Sequence, residues 1–394
     1  MKHIAYLCAD AGIPVFGTKG ASIHVQEIIR AFLKAGHRVT LFANRFDGDA
    51  PTGLEGLQVV ELPTAPRGKL EERARALLDA HDDMIAALDR AGPFDLVYER
   101  YSLWSDVGMR WAHRAGIPGV LEVNAPLIEE QRTHRQLVLP ERAEAMATSA
   151  FGHAKAMVAV SPGVAGYLEN RPEAKGRVHV VANGVNPAAF ADASTKRAAR
   201  LTRNPETVIG FLGTLKPWHG LPLLVEAFVQ LNRRHADTRL LVVGDGPGRL
   251  DMETQLRRYG LLEHCSFSGA VQPWQVPELL AAMDIATAPY PQQRDFYFSP
   301  LKIYEYLAAE LPVVTTRVGH LDQIVQHDID GLLVAPDDPL ALADAMASLV
   351  RDPARRSRMG RAGRERIESG HSWDVVARRI LQIADRAPSL NITE

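Results

Sequence analysis

Cysteine is scarce in this chain of 394 residues: only Cys8 and Cys265 are present. Both sit in apolar, strand-like runs far apart in sequence. They read as small core residues and not as a disulfide or a metal pair. An excess of charge of one sign is lacking too. Lys plus Arg total 45 and Asp plus Glu 47, for a net charge of −2. No basic half exists to bind nucleic acid, and a peripheral membrane contact draws no support from charge. Long apolar runs are missing: no window reaches the ~18 uninterrupted apolar residues of a membrane-spanning helix. The first apolar run is short and is broken at Asp10, so no secretory signal is expected and a cytoplasmic location is. No repeat short enough for a solenoid is visible.

What is present is an ordinary globular composition, 46% hydrophobic and 23% charged, which excludes a disordered or collagen-like chain. At ~150 residues per domain the length suggests two or three domains. Short apolar runs alternate with amphipathic stretches. His3–Ala9, Arg38–Ala43, Asp95–Glu99, Gly119–Val123 and Met157–Val160 are strand candidates; Ser22–Ala35 and Leu70–Arg90 are helical. The pattern restarts at Thr207–Gly213 and continues through Arg239–Gly244, Ser266–Gly269, Ile285–Pro289 and Pro312–Thr315, with helices at Leu221–Arg233 and Leu250–Tyr259. A βαβα order of this kind predicts parallel sheets with helices on both faces. Turn-forming Asn183-Gly184 and Asn186-Pro187, then the polar stretch Ala191–Pro205, place a boundary near residue 190. The expected architecture is α/β: two doubly wound, Rossmann-like domains facing across a cleft, over 1–190 and 191–370. A C-terminal helix in 371–394 is expected to return toward the first domain.

Four stretches could carry chemistry. Gly17-Thr-Lys-Gly-Ala-Ser22 joins the first strand to the first helix, where free amides favour an anion. It also fits a plain strand-to-helix turn with Ser22 as N-cap. Gly244-Asp-Gly-Pro-Gly-Arg249 looks like a dinucleotide fingerprint, but Arg249 stands where glycine is needed and Pro247 removes an amide, which favours a tight turn. Gly213-Thr-Leu-Lys-Pro-Trp-His-Gly220 puts a cation, an aromatic and an imidazole at the carboxyl end of a strand, where open α/β sheets bind ligands. Lys216 there either neutralises phosphate or sits in solvent, with Trp218 packing on the domain. Phe296-Tyr-Phe-Ser-Pro-Leu-Lys-Ile-Tyr-Glu-Tyr306 holds a helix start at Ser299-Pro300. Glu305 follows on a half-buried helix, and a carboxylate there needs a partner, either ribose hydroxyls or a structural Arg or Lys. The seven arginines of Arg351–Arg366 read as a solvated helical surface.

These residues resemble the retaining GT-B glycosyltransferases of family four. The resemblance spans nearly the whole chain. It is carried by Gly20, Gly36-His-Arg-Val39, Asn183-Gly-Val-Asn-Pro-Ala-Ala-Phe190 and Gly213…Gly220. Val243-Gly-Asp-Gly246, Ser299…Glu305, Leu311-Pro-Val-Val314, Asp330-Gly-Leu-Leu-Val334 and His371-Ser-Trp373 complete it. It implies a nucleotide-sugar donor, as a substrate, on the C-terminal domain, and an acceptor of unidentified kind on the amino-terminal one. The second glutamate of the family's Glu-x7-Glu motif, which binds ribose, falls on Glu305. The first falls on Tyr297, a departure at a sugar contact. Thr214 replaces the family's diphosphate-binding Arg and His219 its Lys, while Lys216 stands nearby. Asn124 replaces a histidine close to the donor sugar.

By this resemblance the donor contacts are Gly20, Thr214, Lys216, His219 and Gly269, then Ser299, Pro300, Leu301, Lys302 and Glu305. Acceptor or sugar contacts are Glu122, Asn124 and Tyr297. Lys216, Glu305 and Asn124 are the expected catalytic residues. Cations and loop amides would stabilise a departing diphosphate, so no metal or other cofactor is expected, and no D-x-D pair is read at a strand end. The alternatives are a nucleotide-sugar 2-epimerase of the same fold and a non-catalytic sugar-nucleotide-binding homologue.

Overall fold

The computed structural model describes residues 1–201, 206–293 and 296–386. The last residues of the polar stretch near 190 and the end of the expected 371–394 segment lie outside the described residues. Two compact units emerge. The first comprises Met1–Asn183, Tyr297–Ser299 and the chain from Trp373; the second comprises Gly184–Phe296 and Pro300–Ser372.

The first unit is built on seven strands: β1 (His3–Cys8), β2 (Arg38–Ala43), β3 (Gln58–Glu61), β4 (Leu96–Arg100), β5 (Gly119–Val123), β6 (Ala156–Ala159) and β7 (Val178–Val180). Every pairing is parallel, in the order β3-β2-β1-β4-β5-β6-β7. The central strands are buried along their whole length, as strands covered by helices on both faces must be. The chain moves outward one way from β1 to β3, then restarts at β4 on the other side. The crevice between β1 and β4 is therefore the topological switch point.

The second unit repeats the plan with β8 (Thr207–Leu212), β9 (Thr238–Val243), β10 (Cys265–Phe267), β11 (Ile285–Ala288), β12 (Val313–Thr316) and β13 (Gly331–Val334). The order is β10-β9-β8-β11-β12-β13, again all parallel, so its switch point lies between β8 and β11. Both units are thus α/β and Rossmann-like, as expected.

Several local expectations are corrected. Leu70–Arg90 is two helices, Leu70–Asp79 and His81–Ala91, with Ala80 at the junction. Asp82 and Asp83 fall in the first turn of the second helix, where acidic side chains favour a new N-terminus. The first helix starts at Gly20, with Lys19 as N-cap and Ser22 buried inside it. Gln26 holds the preceding loop instead, donating to the carbonyls of Val15 and Gly17 at 2.8 Å each. Pro300 occupies the N-cap of its helix, Leu301–Ala308, and not the first helical position. The two cysteines are free; Cys8 is in the core and Cys265 is partly buried. The helix Trp373–Arg386 belongs to the first unit, where Trp373 stands edge-on to His24 with ring centroids 5.1 Å apart. No helix among the described residues is long and apolar enough to cross a membrane.

Candidate functional site

In the second unit, three loops meet at the carboxyl ends of β8, β9 and β10. A side chain at Gly244 would place its Cβ 2.1 Å from the Gly213 carbonyl oxygen, so only glycine allows this approach. The Leu215 amide donates to Asp245 O at 3.0 Å and the Gly248 amide to Leu215 O at 2.9 Å. Gly244-Asp-Gly-Pro-Gly-Arg249 is thereby a tight strand-to-helix turn zipped to the Gly213 loop. Gly269 joins by accepting from the Gly244 amide at 3.1 Å. Gly220, at φ +68°, lies against Pro289 O and brings the end of the Gly213 loop to the end of β11.

His219 lies in that loop with its Nδ1 on the Thr214 carbonyl. A carbonyl only accepts, so Nδ1 carries the proton. Burial, assisted by the charges of Lys302 and Lys216, pushes its pKa down to about 3, and the ring is neutral. Where the family has a lysine, His219 is thus a neutral ring whose Nε2 can accept. Lys216 is half-exposed, with Nζ 5.7 Å from the Trp218 ring centroid. Thr214 is exposed.

Lys302 is the buried cation of this region. It is 8% exposed, with Nζ 4.4 Å from the Phe211 ring centroid and 5.6 Å from that of Tyr290. These ring faces attract an ammonium, but Nζ has no hydrogen-bond partner among the described residues. The ammonium lies beside Gly213. Burial lowers its pKa to about 7 against the opposing pull of Glu305. Glu305 follows three residues later, on the same helical face. It is half-buried, and burial raises its carboxyl to about 7 while Lys302 pulls the other way. Leu301 opens the helix.

What mounts this helix is Tyr306, which sequence reasoning missed. Its hydroxyl accepts from the Leu212 amide at 2.6 Å and donates to Thr287 O at 3.3 Å. One phenol thus spans the β8–β11 switch point. Its only sequence signal is a tyrosine one turn beyond Lys302.

In the first unit, Glu122 ends up as a hub and not as an open contact. It is 1% exposed. It accepts from His24 Nε2 at 2.8 Å, Arg100 Nη1 at 3.1 Å, Asn124 Nδ2 at 2.5 Å and the Tyr98 hydroxyl. Burial alone would raise its pKa, but His24, Arg100 and Tyr98 outweigh that and hold it at about 2. A carboxylate so filled has no room for an acceptor, which corrects its expected role; it orients Asn124 instead. Tyr297 and Ser299 also belong to this unit. The Tyr297 hydroxyl donates to Glu130 at 3.3 Å, and its carbonyl accepts from Ser161 Oγ at 2.6 Å. The Ser299 carbonyl accepts from Asn183 Nδ2 at 3.1 Å. Gly20 is exposed at the start of the first helix.

Two D-x-D triplets do occur. Asp47-Gly48-Asp49 follows β2, with Asp47 tied to Arg45. In Asp328-Ile329-Asp330 the carboxylates pair with Arg355 and Arg366. Among the described residues no group of three or more His, Cys, Asp or Glu is placed to hold a metal.

Two doubly wound parallel units of this kind make up the GT-B architecture, and known proteins agree. A structure of sucrose-phosphate synthase from Thermosynechococcus elongatus superposes with a TM-score of 0.75 at 21% identity, covering 98% of this chain and 99% of that one. Residues 18–189 match the Glycosyltransferase Family 4 profile and residues 206–352 the Glycosyl transferases group 1 profile. The chain belongs to this glycosyltransferase family. Among its curated relatives, a D-inositol 3-phosphate glycosyltransferase of Salinispora tropica is 28% identical, over 93% of this chain and 81% of the relative. A GDP-mannose-dependent alpha-(1-6)-phosphatidylinositol monomannoside mannosyltransferase of Mycobacterium tuberculosis is 26% identical, over 87% of this chain and 88% of the relative.

Proposed function

We propose that this glycosyltransferase is a cytoplasmic, retaining, metal-independent enzyme that moves a sugar from a nucleotide-activated donor to an acceptor hydroxyl in glycan, glycoconjugate or secondary-metabolite biosynthesis. The observation that carries the proposal is the Lys302–Glu305 pair at the carboxyl end of the second sheet. An ammonium stripped of water and given only ring faces is costly to keep charged. The diphosphate of a nucleotide sugar is the partner that repays that cost. Glu305 accepts the ribose hydroxyls. The GDP-mannose dependence of the mycobacterial relative supports a donor of this class.

The chemistry follows from charge. As the glycosidic bond to the diphosphate breaks, negative charge grows on the leaving oxygen and oxocarbenium character on the sugar. Lys302, Lys216 and the Thr214 amide, which the neighbouring carbonyls leave free, stand ready before the reaction, so they stabilise that charge with little reorganisation. His219, neutral in the free protein, accepts a hydrogen bond from the donor or takes up a proton when the diphosphate arrives. The first unit binds the acceptor, and there Glu122 orients Asn124.

The test is an NMR assay of product anomeric configuration from an α-linked donor, run with and without excess EDTA. An α-linked product that persists in EDTA is expected. Loss of transfer on chelation, restored by Mn²⁺ or Mg²⁺, would remove the cationic clamp. A β-linked product would remove the retaining assignment. Epimerised donor without any transfer would favour the 2-epimerase.

A further inference from the structure

Arg100 has a place in the first unit that its ion pair with Glu122 does not exhaust. It ends β4 and is 9% exposed. One nitrogen, Nη1, donates to Glu122 at 3.1 Å. The rest of the guanidinium has no hydrogen-bond partner among the described residues. A guanidinium carries five N–H donors in a rigid fork, so several donors are held in place with nothing to receive them. These nitrogens are not among the buried atoms left without a partner; solvent reaches them, so the fork stands open to a ligand's hydroxyls.

Two acceptors border the same crevice. Asp10 follows β1; its Oδ1 takes the Gly12 amide at 2.7 Å. It is close enough for its charge to act on Arg100, yet the two form no ion pair within 4 Å. Asn124 follows β5. Its Nδ2 is committed to Glu122, and its Oδ1 has no partner among the described residues. The strands that carry these three residues, β1, β4 and β5, are consecutive in the sheet, and β1 and β4 flank its switch point, where α/β sheets take ligands.

We propose that Arg100, Asp10 and Asn124 form a hydroxyl-binding subsite for an uncharged polyol, which is the acceptor of the transfer proposed above. A hydroxyl both donates and accepts, so vicinal hydroxyls suit a fork of donors set between two acceptors. Charge selects against an anion. Arg100 is paired with Glu122, and Asp10 brings a second carboxylate to the subsite, so a bound anion would lie beside it. The inference rests on the glycosyltransferase assignment for the word acceptor; the polyol site itself does not.

Saturation-transfer NMR on the full chain tests it. The probes are myo-inositol and methyl α-D-glucopyranoside, each against a phosphorylated counterpart, inositol 1-phosphate and glucose 6-phosphate. The variants are Arg100→Gln and Arg100→Lys; the latter keeps a cation on Glu122 and so protects the fold. Asp10→Asn, at a partly exposed position, is a third. The wild type is expected to bind the neutral probes, and each variant to weaken them at least tenfold. UDP and GDP affinities, measured by calorimetry, stay within twofold. Neutral probes binding Arg100→Lys and Asp10→Asn as tightly as the wild type would overturn the proposal. So would a phosphorylated probe binding the wild type more than tenfold tighter than its neutral form. Failure of every nucleotide to bind would strike the donor assignment alone, since the polyol measurements do not depend on it.

Discussion

Lys302 Nζ lies 4.4 Å from the centroid of the Phe211 ring, so the helix Leu301–Ala308 holds its cation against the carboxyl end of β8. That contact gives the first prediction. Lys302→Met keeps the aliphatic packing and removes the charge. Transfer should fall ~100-fold or more in kcat, as loss of one preorganised donor typically does. The free protein should gain stability. Folded Lys302 gives up its proton near pH 7, whereas an unfolded lysine keeps it to its ordinary value. Wild-type stability is therefore lost, relative to the variant, as pH falls from the ordinary lysine range toward 7. Thermal melts at pH 7 and 10 read the sign; equal kcat in both proteins would defeat the clamp.

Glu305→Gln should weaken nucleotide binding by ~1–3 kcal/mol, the range for a hydrogen bond to a charged group. Calorimetry with UDP, GDP and the free nucleosides measures it, and an unchanged nucleoside affinity would refute the ribose contact. The pH effect has the opposite sense to that of Lys302. Glu305 holds its proton to about pH 7 in the folded chain, so wild-type stability relative to the variant is lost as pH rises from the ordinary glutamate value through 7.

Lys216→Ala separates a phosphate contact from a solvent-exposed lysine resting on Trp218. A drop of ~100-fold in kcat is expected, with nucleoside binding unchanged. If kcat does not move, the cation serves only the tryptophan face.

Glu122→Ala should destabilise the first unit by ~3–5 kcal/mol, because it strands the buried charge of Arg100. The wild-type contribution is present above the ordinary glutamate value and is lost as pH falls toward about 2. Urea melts at pH 7 and 3 should therefore show a larger gap between wild type and variant at pH 7. A gap that did not shrink at pH 3 would count against a charged hub.

Periodicity made most of the fold legible, since central strands such as His3–Cys8 are buried throughout and, beyond His3, apolar. It missed Gln58–Glu61 and Val178–Val180 because these edge strands are short and largely exposed, so no buried face writes a pattern into them. In the site, Glu305 and Lys302 were readable from their helix start and the family resemblance. Glu122 was misjudged because, beside the neighbouring Asn124, its donors come from Tyr98, Arg100 and His24, none of these three within twenty residues, and no local spacing records such a convergence. The neutrality of His219 was not legible either: a histidine's charge depends on what surrounds it, and Lys302 acts on it from more than eighty residues along the chain.

The contact between Gly213 and Gly244 has a consequence for anyone redesigning donor choice. Two loops separated by some thirty residues are cast as one piece, with no space for a methyl group between them. Lengthening either loop to admit a different sugar nucleotide would drag the other along. Libraries that diversify one loop at a time should therefore yield mostly misfolded proteins, while paired libraries that vary residues 214–219 and 245–248 together sample the changes the fold can absorb.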